Sequence, residues 1–221
     1  PPVVQEPAAD FSDANKALLE KAEQARQAAL DAGAQKYYPE LFDTTDTNYA
    51  AVKDAVEKDS AADHASEISD IIAKYNSLEK AARAKQLKEK ADELGVSDAD
   101  AEKALSDYDV VSANGAGDAM LEQAEKALAA YTELLRQQLL ALAGTERKAA
   151  LEAKKQADSV KAGVAKKAEY TAASDVFKKA DSSYVTKDIE GAYNGYKAAK
   201  KAFTELFEIV SKNRAAAQAA L

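Results

Sequence analysis

Apolar positions recur at spacings of three, four and seven along nearly the whole chain, and no segment sustains an apolar–polar alternation of period two, which predicts an all-α protein. Leu18, Ala22, Ala25 and Ala29 form one stripe, so a first helix is predicted from Asp13 to Ala32, with Ser12 as its cap and Gly33 just past its end. Pro39 suits the first turn of a second helix carrying Phe42, Tyr49, Val52 and Val56. After a polar break at 59–63, Ile68, Ile71, Ile72, Tyr75 and Leu78 mark a long helix reaching Leu94. Gly95 ends it, and Ser97 with Asp100 has the form of a capping box opening a short helix with Ala101, Leu105 and Tyr108. Residues 112–117 read as a loop, and Asp118 as the cap of a helix striped by Leu121, Ala124, Leu128, Tyr131, Leu135, Leu139 and Leu142. Gly144 and Thr145 are expected to break or bend that helix, and 148–170, poor in large apolar residues, to form a long exposed one. The last hairpin carries Tyr170, Val176, Phe177 and Tyr184 on one helix. Its partner begins at Thr186 or Asp188 and carries Ile189, Tyr193, Tyr196, Phe203, Leu206, Phe207 and Val210.

A longer spacing is laid over this pattern. Phe42/Tyr49/Tyr75, Asp98/Leu105/Tyr131 and Tyr170/Phe177/Phe203 share the same internal intervals, and the third members open the similar strings YNSL, YTEL and FTEL. A second register, Phe42/Asp46/Tyr49 against Phe177/Asp181/Tyr184, competes with the first, and the two look mutually exclusive. The expectation is a set of antiparallel helical hairpins stacked as an elongated bundle or short solenoid. About three related units fall near 34–94, 95–143 and 164–214, within one helical domain over 12–221 that follows an extended tether at 1–11.

Composition narrows the function. Apolar residues make up 47% of the 221, but much of that is alanine, which buries little area and favours helix. A net charge of −8 with dispersed Lys and Arg argues against a nucleic-acid partner, and the lysine-rich stretch from Arg147 to Lys167 holds acids and no aromatic. The absence of cysteine excludes disulfides, thiol catalysis and cysteine metal sites. No apolar run approaches the ~18 residues of a spanning helix. The proline-rich opening PPVVQEPAAD reads as a tether. It suits a mature exported protein whose signal and lipidated cysteine lie upstream, and equally a chain trimmed at a domain boundary.

Few residues offer chemistry. His64 is the one histidine and has neither a second histidine nor a cysteine to make a metal site or a catalytic pair. The acids at Asp43/Asp46, Asp98/Asp100/Glu102 and Asp107/Asp109 read as helix-start charges, and SDADAEKALSDYD has the acids but not the turn glycine of a calcium loop. No phosphate loop or nucleophile elbow occurs, so no catalytic residue, metal or cofactor is assigned and the chain is not expected to be an enzyme. Binding candidates remain. Gly191 and Gly195 sit four apart in a helix that each weakens by about 1 kcal/mol, interleaved with Tyr193 and Tyr196. That cost calls for either a close helix crossing or a groove beside the tyrosines. Tyr37 and Tyr38, adjacent before Pro39, cannot both face one way, so at least one is expected at a surface.

Two resemblances add to this. KDIEGAYNGYKAAKKAF, residues 187–203, resembles the start of a tetratricopeptide-type helix, and 117–131 does so more loosely. The period departs from that family and its Trp-Leu-Gly pattern is missing. The Pro/Glu tether, ARQAALDAGAQKYYPELF at 25–42 and the later Ala/Lys/Glu helices are similar to alanine-rich helical lipoproteins of bacterial envelopes, including those of spirochaetes. Tyr38, Pro39, Glu40 and Phe42 carry the likeness. That resemblance implies a periplasmic or surface protein, on the membrane only through a lipid anchor outside this chain. The expected function is a non-catalytic envelope interaction or scaffold protein presenting a helical surface to a protein partner. The alternative is a solute-binding or transporter-accessory protein holding a small ligand between hairpins.

Overall fold

The computed structural model describes residues 9–220, and all of the regular structure among them is helical. Residues 1–8 of the expected tether lie outside the described residues. The chain divides into two compact units that meet between Leu135 and Arg136.

Unit 1 is built from α1 (Ser12–Asp31), α2 (Ala34–Tyr37), α3 (Pro39–Lys58), α4 (Ala65–Glu93), α5 (Ala99–Ser112) and the first part of α6 (Gly117–Ser159). Ala22, Ala25 and Ala29 let α1 lie close against α4, where Ile68, Ile71, Tyr75 and Leu78 meet Phe42, Tyr49 and Val56 of α3. Each of those large side chains contributes about 1.5–3 kcal/mol on burial. A second core forms on the other face of α4, from Ala81 and Ala84 with Leu105 and Tyr108 of α5 and Met120, Ala124, Ala127 and Tyr131 of α6. Asn15 is fully buried near the start of α1. Its amide donates to the carbonyls of Ser60 and Ala62, at 3.0 and 2.8 Å, and its oxygen accepts the His64 amide, so it ties the α3–α4 connection to α1.

Unit 2 contains the rest of α6, α7 (Ala162–Ala165), α8 (Lys167–Val185) and α9 (Ile189–Ala219). Ala150, Ala153, Ala157 and Ala173 pack with Phe203, Leu206 and Val210.

The ends of the helices correct several expectations. Ser12 does not cap α1 but lies inside it, its amide bonded to Asp10. Asp98, not Ser97, caps α5 by accepting the Ala101 amide. Asp118 does not cap α6; the helix starts at Gly117, whose amide donates to Asp70 of α4 at 2.6 Å. Gly144 and Thr145 interrupt nothing, since α6 continues to Ser159. The stripe that α6 buries runs through Met120, Ala127 and Ala143, with Leu121, Leu128 and Leu142 only half-buried beside it. The stretch 148–170 is not one exposed helix. It breaks at Lys161 and Lys166, and Ala150, Ala153, Ala157 and Ala162 are buried, because small residues suffice where backbones approach closely.

That break repeats a corner of unit 1, 128 residues on. Gly33 (φ 78°) and Lys161 (φ 55°) are both left-handed, each is followed by a four-residue helix, and Tyr38 (φ −140°, ψ 55°) and Lys166 (φ −139°, ψ 60°) lead into α3 and α8 alike. The offset is that of Phe42/Tyr49/Tyr75 against Tyr170/Phe177/Phe203. The middle set is different in kind, since Asp98 is a cap while Leu105 and Tyr131 share a core.

The Phe42/Asp46 and Phe177/Asp181 pairs of the second register also match, so the two registers do not exclude each other there, although buried Tyr49 has no counterpart in exposed Tyr184. In unit 1, Asp46 accepts from Arg26 at 2.7 and 2.8 Å and from the Tyr75 hydroxyl at 2.5 Å, with Arg26 over the Phe42 ring. In unit 2, Asp181 accepts from Arg147 at 2.9 Å and from Tyr196 at 2.6 Å, with Arg147 over Phe177. The cluster is the same but displaced seven residues forward on α8 and seven back on α6 and α9. For antiparallel helices that is a single shift of two turns, roughly 10 Å.

Burial pushes the Asp46 carboxyl up, but the bonds from Arg26 and Tyr75 outweigh it and hold the group below its ordinary value. A depressed carboxylate stabilises the fold above its unfolded pKa of about 3.9 and loses that contribution as pH falls through the folded value. Asp46→Asn is therefore expected to cost about 1–2 kcal/mol at pH 7, allowing for partial solvent screening. The gap between the two proteins' urea midpoints should close progressively below pH 4.

Candidate functional site

An open groove of about 660 Å³ lies in unit 1. Pro39 fixes the first turn of α3, which sets Tyr37 and Tyr38 at one end of the groove and runs Glu40, Thr44 and Asn48 along its edge at four-residue spacing. The turn after α5, Ser112 to Gly115, forms the opposite wall. Leu41 and buried Met120 supply apolar surface, and Lys74 reaches in from α4.

Several of the polar groups here are already partnered. Thr44 and Thr45 donate their hydroxyls to the carbonyls of Glu40 and Leu41, both at 2.8 Å. The Lys74 ammonium sits 2.7 Å from Asp70. Burial pushes the Asp70 carboxyl up, yet Lys74 and the Gly117 amide together hold it below the usual carboxylate range. The Tyr38 ring stands edge-on to Tyr108 with centroids 5.4 Å apart, and its hydroxyl donates to Asp109 at 3.2 Å. Burial first, then the Asp109 charge, raises its pKa far above the ordinary phenol value. Tyr37 donates to Glu89 at 2.8 Å and carries the Lys36 ammonium over its ring. Both tyrosines are half-buried, and both line this one groove.

The other sequence candidates lie in unit 2, away from any such groove. Tyr196 is fully buried and its hydroxyl is bound to Asp181, which removes it from the binding candidates. Burial and that carboxylate push its pKa up to about 12. Tyr193 is half-buried with the Lys197 ammonium 5.0 Å from its ring centre. The glycines serve different ends. At Gly195 an added Cβ would lie 2.7 Å from the Cβ of Ala180, so this glycine permits the α8–α9 crossing. At Gly191 the three nearest atoms all belong to the Asp188 carboxylate that caps α9, so the cap rather than a neighbouring backbone is what an added Cβ meets first.

His64 is held at the start of α4, its ring nitrogen 3.1 Å from the Asp59 carbonyl. Among the described residues no group of acids and histidines is arranged to hold a metal ion. No helix of the described chain is long and apolar enough to cross a membrane. Thr44, Asn48, Lys74 and Asn114 escaped the sequence reading. The available signal was the polar line at 40, 44 and 48 beside the apolar Leu41, Phe42 and Tyr49, together with the 112–117 loop. Comparison with family models, with curated protein sequences and with solved structures gives no match.

Proposed function

We propose that this chain is a non-catalytic interaction or scaffold protein of the cell envelope and that the unit 1 groove receives a segment of a protein partner. The observation that carries this is the groove itself: half-buried Tyr37 and Tyr38 at one end, Leu41 and Met120 beneath, and exposed Thr44, Asn48 and Asn114 at the rim. Rigid aromatic surface with a polar rim suits recognition. The one cation inside is neutralised by Asp70, so the groups there favour binding over proton transfer. The envelope assignment draws support from the likeness to alanine-rich helical lipoproteins.

A second reading, a small solute held in the same groove, is favoured by the volume, which lies within the ~300–1,000 Å³ usual for small-molecule clefts. A photocrosslinking phenylalanine analogue at Thr44, exposed on α3, separates the two. In envelope extract the expected product is one discrete protein adduct that disappears when Asn48→Arg fills the groove. A small molecule retained in native mass spectra of the purified chain, with no adduct, would transfer the site to the solute reading. Neither signal would overturn both.

A further inference from the structure

The repeated corner is filled in one unit and hollow in the other. In unit 1, Tyr37 occupies the space between α2 and α4, its hydroxyl on Glu89 at 2.8 Å, while the Gln86 amide donates to the Ala32 carbonyl at 2.9 Å. In unit 2 the positions 128 residues on hold Ala165 for Tyr37, Ala217 for Glu89 and Arg214 for Gln86. No ring fills the corner, and a hollow of about 210 Å³ remains, bounded by Ala165, Lys166, Val210, Asn213, Arg214 and Ala217.

The charges around the two corners differ as well. In unit 1, Lys36 pairs with Glu89 and Lys85 with Asp109. At the unit 2 corner, Lys161 and Lys167 flank α7, and Lys212 and Arg214 stand on the facing end of α9. None of these four is within ion-pair distance of an acid among the described residues, and Lys166 pairs only with Glu169. Of these four, Arg214 lines the hollow, beside Lys166, and the lining residues include no acid although the chain's net charge is −8.

We infer that this corner docks an acidic segment of a partner protein, which inserts a tyrosine-like side chain into the hollow where Tyr37 sits in unit 1. The inference rests on the reading of the chain as an interaction protein but concerns a surface other than the groove. The guanidinium of Arg214 presents a fork that suits a carboxylate beside an inserted ring, a pairing typical of interface hot spots.

The test uses a fluorescein-labelled peptide with one tyrosine between runs of glutamate, titrated with the whole chain at about 0.15 M salt, where long-range attraction is screened. Saturable binding is expected. It should weaken at least about tenfold in the Lys166→Glu/Arg214→Glu variant and when alanine replaces the peptide tyrosine. Ala165→Tyr, which supplies the missing ring from within, should abolish binding while the thermal midpoint holds or rises. Asn48→Arg, in the groove, should leave it unchanged, so the two surfaces fail independently. The proposal is overturned by an absence of saturable binding, by equal affinity of the alanine peptide, or by undiminished binding to Ala165→Tyr. Equal binding of phosphatidylglycerol vesicles or of a single-stranded oligonucleotide would likewise overturn it, leaving a general anion-binding surface.

Discussion

Gly117→Ala is expected to destabilise unit 1 by about 3 kcal/mol, although alanine is intrinsically the better helix former by about 1 kcal/mol. An added Cβ would lie 2.5 Å from the Asp70 carbonyl oxygen and 2.7 Å from the Cβ of Ala73. Both belong to α4 and neither can swing aside, so α6 would have to retreat from α4. That retreat stretches the bond from the Gly117 amide to the Asp70 carboxylate, the device that satisfies the α6 N-terminus in place of a local cap. It also loosens Met120 and Ala124 from Ala81. Thermal unfolding should register a fall of roughly 10 °C. Gly144→Ala in the same helix is the matched control. Nothing lies within 4 Å of that Cβ position, so only the helix preference acts and the variant should gain up to about 1 kcal/mol. If the two variants behaved alike, close packing of Gly117 on α4 would be refuted.

The pattern that made the helices legible could not show which backbones touch. Periodicity in Phe42, Tyr49, Tyr75, Phe203 and Leu206 marked core faces correctly because large side chains are placed by burial alone. Alanine carries a weaker signal, legible at Ala22, Ala25 and Ala29 beside Leu18 but not where large residues are absent. Ala150, Ala153 and Ala157 looked like an exposed face and are buried, since a small residue is used where a neighbouring helix is close. The corner at Lys161 was hidden for a different reason. Lys161 adopts a left-handed conformation that glycine advertises at Gly33 but lysine does not. Long-range capping is equally silent in sequence, as Asp70 stands 47 residues before the amide that it satisfies. Of the candidate site, Tyr37 and Tyr38 were found through their adjacency before Pro39. Tyr196 was misplaced because a tyrosine at core spacing and one at an interface look the same until its hydroxyl is seen on Asp181.

The glycine pair of α9 separates these effects within one turn of helix. Gly195→Ala is expected to cost about 2 kcal/mol, because its Cβ would approach the Cβ of Ala180 to 2.7 Å and its Cα to 3.3 Å, and a residue already reduced to alanine has nothing left to yield. The hairpin would have to open around Tyr196, Ala192 and Ala143, which share that core. Separation there also weakens the reach of Tyr196 to Asp181 and with it the hold on Arg147. Gly191→Ala should be nearly neutral. Its Cβ first meets the Asp188 carboxylate, a side chain that can turn, and Ala101 already occupies the same place after the Asp98 cap of α5. Urea unfolding of the two variants decides the matter. A midpoint lowered by Gly195→Ala alone assigns the glycine to the α8–α9 crossing, whereas equal losses would mean that the cap at Asp188 cannot adjust. A larger loss at Gly191 would reverse the assignment.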